Sequence, residues 1–178
     1  MHTESFRFSD ADERYVTDAL GRKPLGVIGV GARDNDAKPL VIINLPLTSD
    51  GERWLPFPTL YWLVDPALNR QLAEIERKGG VRDIEQQLAE DDELMQAHLA
   101  DNKAYAKSRW AVLTKDEVET AEQMGVRDVL EHSGIGGVSD HSTVKCLHAQ
   151  AAYHLARHDV GTTVGKLLIK QHGLMLSY

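Results

Sequence analysis

The sequence predicts an α+β fold: a small antiparallel sheet over residues 25–64, packed against a helical remainder whose central, buried helix spans 143–158. Three observations carry this expectation. Two apolar runs, L-G-V-I-G-V-G-A at 25–32 and L-V-I-I-N-L-P-L at 40–47, flank a polar turn rich in Asp and Asn, the pattern of a hairpin. From Pro66 onward, apolar residues recur at helical spacing and capping residues punctuate them. The segment 144–155 is apolar almost all round, as suits a helix surrounded by its own domain.

The chain has 178 residues, of which 42% are hydrophobic and 26% charged, which suits one domain over 1–178 able to bury a core without staples. A single cysteine excludes an internal disulfide and points to a reducing compartment. The first ten residues lack an apolar stretch and carry acidic groups, and no apolar run approaches the ~20 residues that span a bilayer. The expected location is the cytoplasm, with no membrane partner. The net charge is −7 and the basic residues are scattered, so a nucleic acid is not an expected partner.

In order along the chain, Ser9 can cap a first helix over 9–20, with Asp10, Asp12 and Glu13 at its positive end and Gly21 as its stop. The glycines at 26, 29 and 31 do not match G-x-G-x-x-G, and a second strand follows them where a dinucleotide site needs a helix. Close packing or bulges explain them better. A loop around Asp50 and Gly51 leads to W-L-P-F-P-T-L-Y-W-L-V-D-P at 54–66, where Pro56 and Pro58 force extended backbone and 59–64 can form a third strand. Its aromatic residues, Tyr61 among them, either plug the sheet against the helices or wall a pocket.

Pro66 suits the first position of a helix that ends at Gly79-Gly80. A long amphipathic run covers 81–113. Its acidic segment 90–93 reads as a solvated face or as a break between two helices. Tyr105 and Arg109, at i,i+4, face one way and can form a phenol–guanidinium contact at a site or a packing pair. T-K-D-E at 114–117 is a capping box that opens a helix to about 132, with Gly125 as a candidate interruption. A last short helix follows from 164 and ends in an apolar tail.

The stretch G-I-G-G-V-S-D-H-S-T-V-K-C-L-H-A, 134–149, concentrates reactive groups more than any other. Gly134, Gly136 and Gly137 let the backbone approach a ligand, and the following helix offers free N–H groups and a partial positive charge. Lys145 adds a full charge. His141, Lys145 and His148 share a stripe if the helix reaches back to 141. This points to an anion seat, set against a plain glycine turn between packed helices. Cys146 and His148 are two positions apart, so on a regular helix they point about 200° from each other. They can share a metal only if Cys146 precedes the regular turn. Otherwise Cys146 is a small core residue and His148 a hydrogen-bonded one. His154 and His158 lack the Glu of H-E-x-x-H.

The strings P-F-P-T-L-Y-W-L at 56–63 and V-K-C-L-H-A at 144–149, with the Tyr105/Arg109 pair and Gly136-Gly137, resemble a bacterial family catalogued as domain of unknown function 501. The likeness runs from about residue 26 to 165. Family genes often lie beside those for an exopolyphosphatase and a septum-formation protein, so the resemblance implies a role near polyphosphate metabolism or cell division. In that family the residue before Pro66 is often Cys or His, and here it is Asp65. The resemblance therefore implies a metal set of Asp65, Cys146 and His148 holding a divalent ion such as zinc, whereas the residues alone make Asp65 a cap for the helix at Pro66.

Three functional expectations follow. The first is binding of a small anionic or phosphorylated molecule at the glycine loop, with hydrolase or transferase chemistry. It has Gly134, Gly136, Gly137, Lys145, His141 and Tyr61 as ligand-binding residues and His148, Cys146, Arg109 and Tyr105 as catalytic ones. The second is the metal site just named. The third is a non-catalytic interaction protein whose conspicuous strings build its core.

Overall fold

A computed structural model describes residues 7–49, 51–158 and 160–176. Asp50, inside one expected loop, and the first six residues, whose composition argued against a leader, lie outside the described residues.

The architecture is α+β. Helix α1, Asp10–Leu20, begins at a capping box in which Ser9 and Asp12 satisfy each other's backbone N–H groups. Strands β1, Val27–Arg33, and β2, Pro39–Asn44, form the expected hairpin, and Asp34 closes its turn by accepting from the N–H groups of Asp36 and Lys38. Strand β5, Tyr61–Leu63, pairs antiparallel with the other side of β2, giving the order β1-β2-β5. Register shifts interrupt β1, which accounts for glycine there. At Gly31, a Cβ would sit 3.0 Å from Val41 and 3.4 Å from Ala156, so the position also admits the close approach of a helix. The run 40–47 does not stay one strand. Pro46 lies in the break, and Leu47 starts a second hairpin, β3 (Leu47–Ser49) with β4 (Trp54–Pro56).

Helix α2, Pro66–Arg77, is capped by Asp65, whose Oδ1 accepts from Leu68 N at 2.7 Å. The run 81–113 is two helices, α3 (Gly80–Glu90) and α4 (Asp92–Trp110), because Asp91 is extended and caps α4 with its carboxylate. Both readings of the acidic segment hold: Glu90, Asp91, Asp92 and Glu93 are all exposed, and the helix breaks among them. Thr114 and Glu117 form the expected capping box of α5, Lys115–Gln123, and a left-handed Gly125 separates it from α6, Arg127–His132. Next come a single 3-10 turn, Ile135–Gly137, then α7, Leu147–Ala156, and α8, Thr163–His172.

Helix α7 is the centre of the molecule. Leu147, Ala151, Ala152 and Leu155 are buried in the main core with Val41 and Leu63 of the sheet, Leu72 of α2, Ile84 and Leu88 of α3 and Leu168 of α8. It is shorter than the expected 143–158, since 143–146 form a non-helical strap leading into it, with Cys146 extended. Burying a side chain the size of Leu stabilises by roughly 1.5–3 kcal/mol, so this helix is fixed from several sides. Among the described residues, no helix is long and apolar enough to cross a membrane.

Candidate functional site

The start of α7 is where the reactive residues meet. Cys146 has φ −153° and ψ 125°, so it stands outside the helix, and the 200° separation expected of a regular i,i+2 pair does not apply. Its Sγ lies 3.7 Å from Nδ1 of His148. A third group joins them from α2. Glu76 Oε1 is 3.2 Å from the same His148 nitrogen and accepts from Leu147 N at 2.6 Å. The sulfur, the carboxylate oxygen and the imidazole nitrogen all lie within 4.8 Å of one another, and each residue is partly exposed.

The other imidazole nitrogen, Nε2, is 3.1 Å from the carbonyl of Asn69, which can only accept, so Nε2 carries a proton. Asn69 and Glu76 are seven residues apart, two turns along one face of α2, and together they embrace the ring. With Nε2 protonated, Nδ1 points a lone pair at Cys146 and Glu76 unless a second proton sits there. The sulfur of Cys146 is the largest influence on His148. With the Asn69 carbonyl and the Glu76 charge it outweighs burial and holds the imidazole at about 9. These surroundings therefore favour the positively charged imidazole.

A cleft of about 240 Å³ opens beside the cluster. Thr59, Tyr61, Trp62 and Leu63 line one wall, and Gly136, Lys145, Cys146, His148 and Ala149 line the other. Tyr61 is stacked on Tyr153 at 5.5 Å and meets Tyr105 edge-on at 6.0 Å, so that wall is rigid. Gly136 is left-handed at φ 73°, and a Cβ there would lie 3.7 Å from the Cβ atoms of Lys145 and Ala149. The 54–66 aromatics fit both readings: Tyr61 packs the sheet against Tyr105 of α4 and Tyr153 of α7, and Tyr61 and Trp62 also line the cleft.

Several expected site residues have other occupations. Asp65 caps α2 and is not in the cluster; Glu76 supplies the carboxylate in its place. Arg109 is fully buried, and its guanidinium donates to the carbonyls of Leu130, Ser133, Val129 and Pro58, which leaves it tying α4 to the end of α6. Tyr105 accepts from Leu60 N at 2.8 Å, and burial pushes its phenol up to about 12. It holds the Leu60 N–H just before the strand that carries Tyr61, and its phenol stays protonated near neutrality. His141 bonds the carbonyl of His132 in a separate hollow between α4 and α6, because the helix does not reach back to it. Gly134 packs on Asn102, where a Cβ would meet Oδ1 at 2.2 Å, and Gly137 packs near Pro58.

The sequence reading missed Glu76, Glu85 and Asn102. Glu85 accepts from Val144 N at 2.9 Å. Buried Asn102 accepts from Ile135 N and donates to the carbonyls of His98 and His141, so one amide holds both ends of the glycine loop. A carboxylate on the edge of the Leu68, Leu72, Ile75 stripe was the available signal for Glu76, but its partner lies 72 residues away. The expected anion seat is also altered. The Leu147 N–H at the head of α7 is already taken by the protein's own carboxylate, Glu76.

The family model described as protein of unknown function (DUF501) matches residues 30–170. The chain belongs to this family. The DUF501 match contains the whole cluster, both walls of the cleft and the Asn102 network, and leaves out α1. Neither a curated protein nor a solved structure matches the chain.

Proposed function

We propose that Glu76, Cys146 and His148 bind one divalent transition metal, zinc being the best fit, and present it to a small ligand in the adjoining cleft. The observation that carries this is the spacing of the ligand atoms. Tetrahedral zinc with bonds of ~2.3 Å to sulfur and ~2.1 Å to nitrogen or oxygen sets the S···N edge at about 3.6 Å and the N···O edge at about 3.4 Å. The corresponding separations are 3.7 Å and 3.2 Å. The bond from His148 Nε2–H to a backbone carbonyl is the outer-shell contact that zinc-binding histidines usually make. Thiolate, carboxylate and imidazole together suit zinc better than magnesium or calcium.

Three protein ligands leave a fourth position, the arrangement of catalytic rather than structural zinc. Such an ion polarises a ligand oxygen or lowers the pKa of bound water, which fits hydrolase or transferase chemistry. The test uses full-length protein stripped with a chelator and dialysed. Zinc titration should give one ion per chain. Cobalt(II) should give a sulfur-to-metal charge-transfer band that Cys146→Ser abolishes. His148→Ala and Glu76→Ala should each weaken zinc binding at least about tenfold. No saturable binding, or stoichiometric binding that survives both Cys146→Ser and His148→Ala, refutes the proposal.

A second reading makes Cys146 a nucleophile with His148 as its base, favoured by their proximity and by the Asn69 carbonyl orienting the ring. The Glu76 carboxylate beside the same imidazole nitrogen opposes an isolated thiolate there. Alkylation of Cys146 that zinc does not slow would favour the nucleophile over the ligand.

A further inference from the structure

Resting on the metal reading, we infer that the cleft takes a singly charged oxyanion, a carboxylate or a monoanionic phosphate on a small molecule, with one oxygen on the open metal position and another on Lys145. Charge arithmetic leads there. A divalent ion bound by thiolate, carboxylate and neutral imidazole is formally neutral, so the charge of the site is that of its other residues. The cleft lining contains one formal cation, Lys145, and no carboxylate. This stands out in a chain with 27 acidic residues against 20 basic ones. Among the described residues Lys145 forms no ion pair, while Glu76, which lies behind the wall, is already engaged by Leu147 and His148. The unbalanced charge is therefore +1, and a monoanion completes it.

Size and surface narrow the ligand further. The cleft volume of about 240 Å³ is below the roughly 300–1,000 Å³ of drug-sized pockets, so it fits a head group or a compact acid and not a whole nucleotide. The lining also includes the apolar Trp62 and Leu63, which suit a short carbon chain next to the charged group. Gly136 leaves the backbone bare beside Lys145 and Ala149, whose Cβ atoms a Gly136 side chain would meet at 3.7 Å.

The experiment loads the full-length protein with cobalt(II) and follows its visible absorption during separate titrations with inorganic phosphate and butyrate. At least one should shift the spectrum saturably, and Lys145→Gln should weaken that anion about tenfold, the loss expected for one charge-assisted bond. Lys115→Gln, a change at an exposed lysine paired with Glu119, should leave it unaltered. Phosphate acting alone identifies a phosphoryl ligand, and butyrate acting alone identifies a carboxylate. A normal cobalt spectrum that neither anion perturbs, or that responds equally in Lys145→Gln, overturns this inference and leaves the metal reading standing. Failure of the charge-transfer band to form overturns both.

Discussion

Arg109 offers the sharpest test of the division between fold and site. Its side chain is fully buried and donates at 2.7 Å to Leu130, 2.6 Å to Ser133, 3.2 Å to Val129 and 3.1 Å to Pro58, all backbone carbonyls. Three of those carbonyls belong to α6 or its end, where the helix carries partial negative charge. The guanidinium also lies 5.5 Å over the Tyr105 ring. Each hydrogen bond from a charged donor contributes roughly 1.5–3 kcal/mol, and desolvating the cation costs several kcal/mol in the opposite direction. Arg109→Met removes both terms but leaves buried carbonyls with no donor, so the expected net loss is about 3–5 kcal/mol. For a chain of this size that lowers Tm by roughly 6–20 °C. Urea unfolding followed by tryptophan fluorescence measures it. Arg109→Lys should recover little, since an ammonium cannot span four carbonyls. Zinc affinity of the folded Arg109→Met protein at low temperature should equal that of the parent. A loss below about 1 kcal/mol, or one confined to metal or ligand binding, would refute the assignment of Arg109 to the fold.

Other substitutions probe the remaining assignments. Asp65→Ala should cost about 1 kcal/mol through the lost helix cap and leave zinc titration unchanged. A change in zinc affinity would put Asp65 back in the metal set. Gly134→Ala forces a Cβ to within 2.2 Å of Asn102 Oδ1, so urea unfolding should show a loss of about 2–4 kcal/mol as Asn102 gives up Ile135 N; a smaller loss would mean the loop is not anchored there. Burial raises the Asp12 carboxyl, but bonds from Arg33 and Ser9 outweigh burial and hold it at about 2, below its usual 3.8. That depression stabilises the fold by about 2 kcal/mol above pH 4, an amount lost as pH falls through 2. Compared with the parent, Asp12→Asn should be weaker at pH 6 and converge with it near pH 2. Parallel urea midpoints across that range would contradict the pair's contribution.

The parts of the fold written in local chemistry were legible. The hairpin turn, the caps at Ser9, Asp65 and Thr114, and the stop at Gly125 all depend on residues a few positions apart, and all form where the sequence places them. Boundaries were less legible when two local rules competed. Asp91 could decorate a helix or cap one, and the helical pattern through 143–146 gave no sign that those residues leave the helix. Their backbone is held by distant groups: Glu85 takes Val144 N, and His98 lies 3.2 Å from the Thr143 carbonyl. A one-dimensional pattern carries no term for such partners.

The same limit decided the site. Spacing on a helical wheel separated Cys146 from His148, and that inference was sound for a helix containing both. The strap removed its premise: Glu85 of α3 takes the Val144 N–H within it, and Glu76 of α2 takes the Leu147 N–H where α7 begins. Glu76 thus serves two ends. It satisfies the Leu147 N–H that a helix start leaves open, and it completes a three-ligand cluster with the two residues on either side of that N–H. The carboxylate that occupies the open N–H at the head of α7 is the one that stands beside Cys146 and His148. On the metal proposal, an anion would reach the ion from the cleft that Lys145 and Gly136 line.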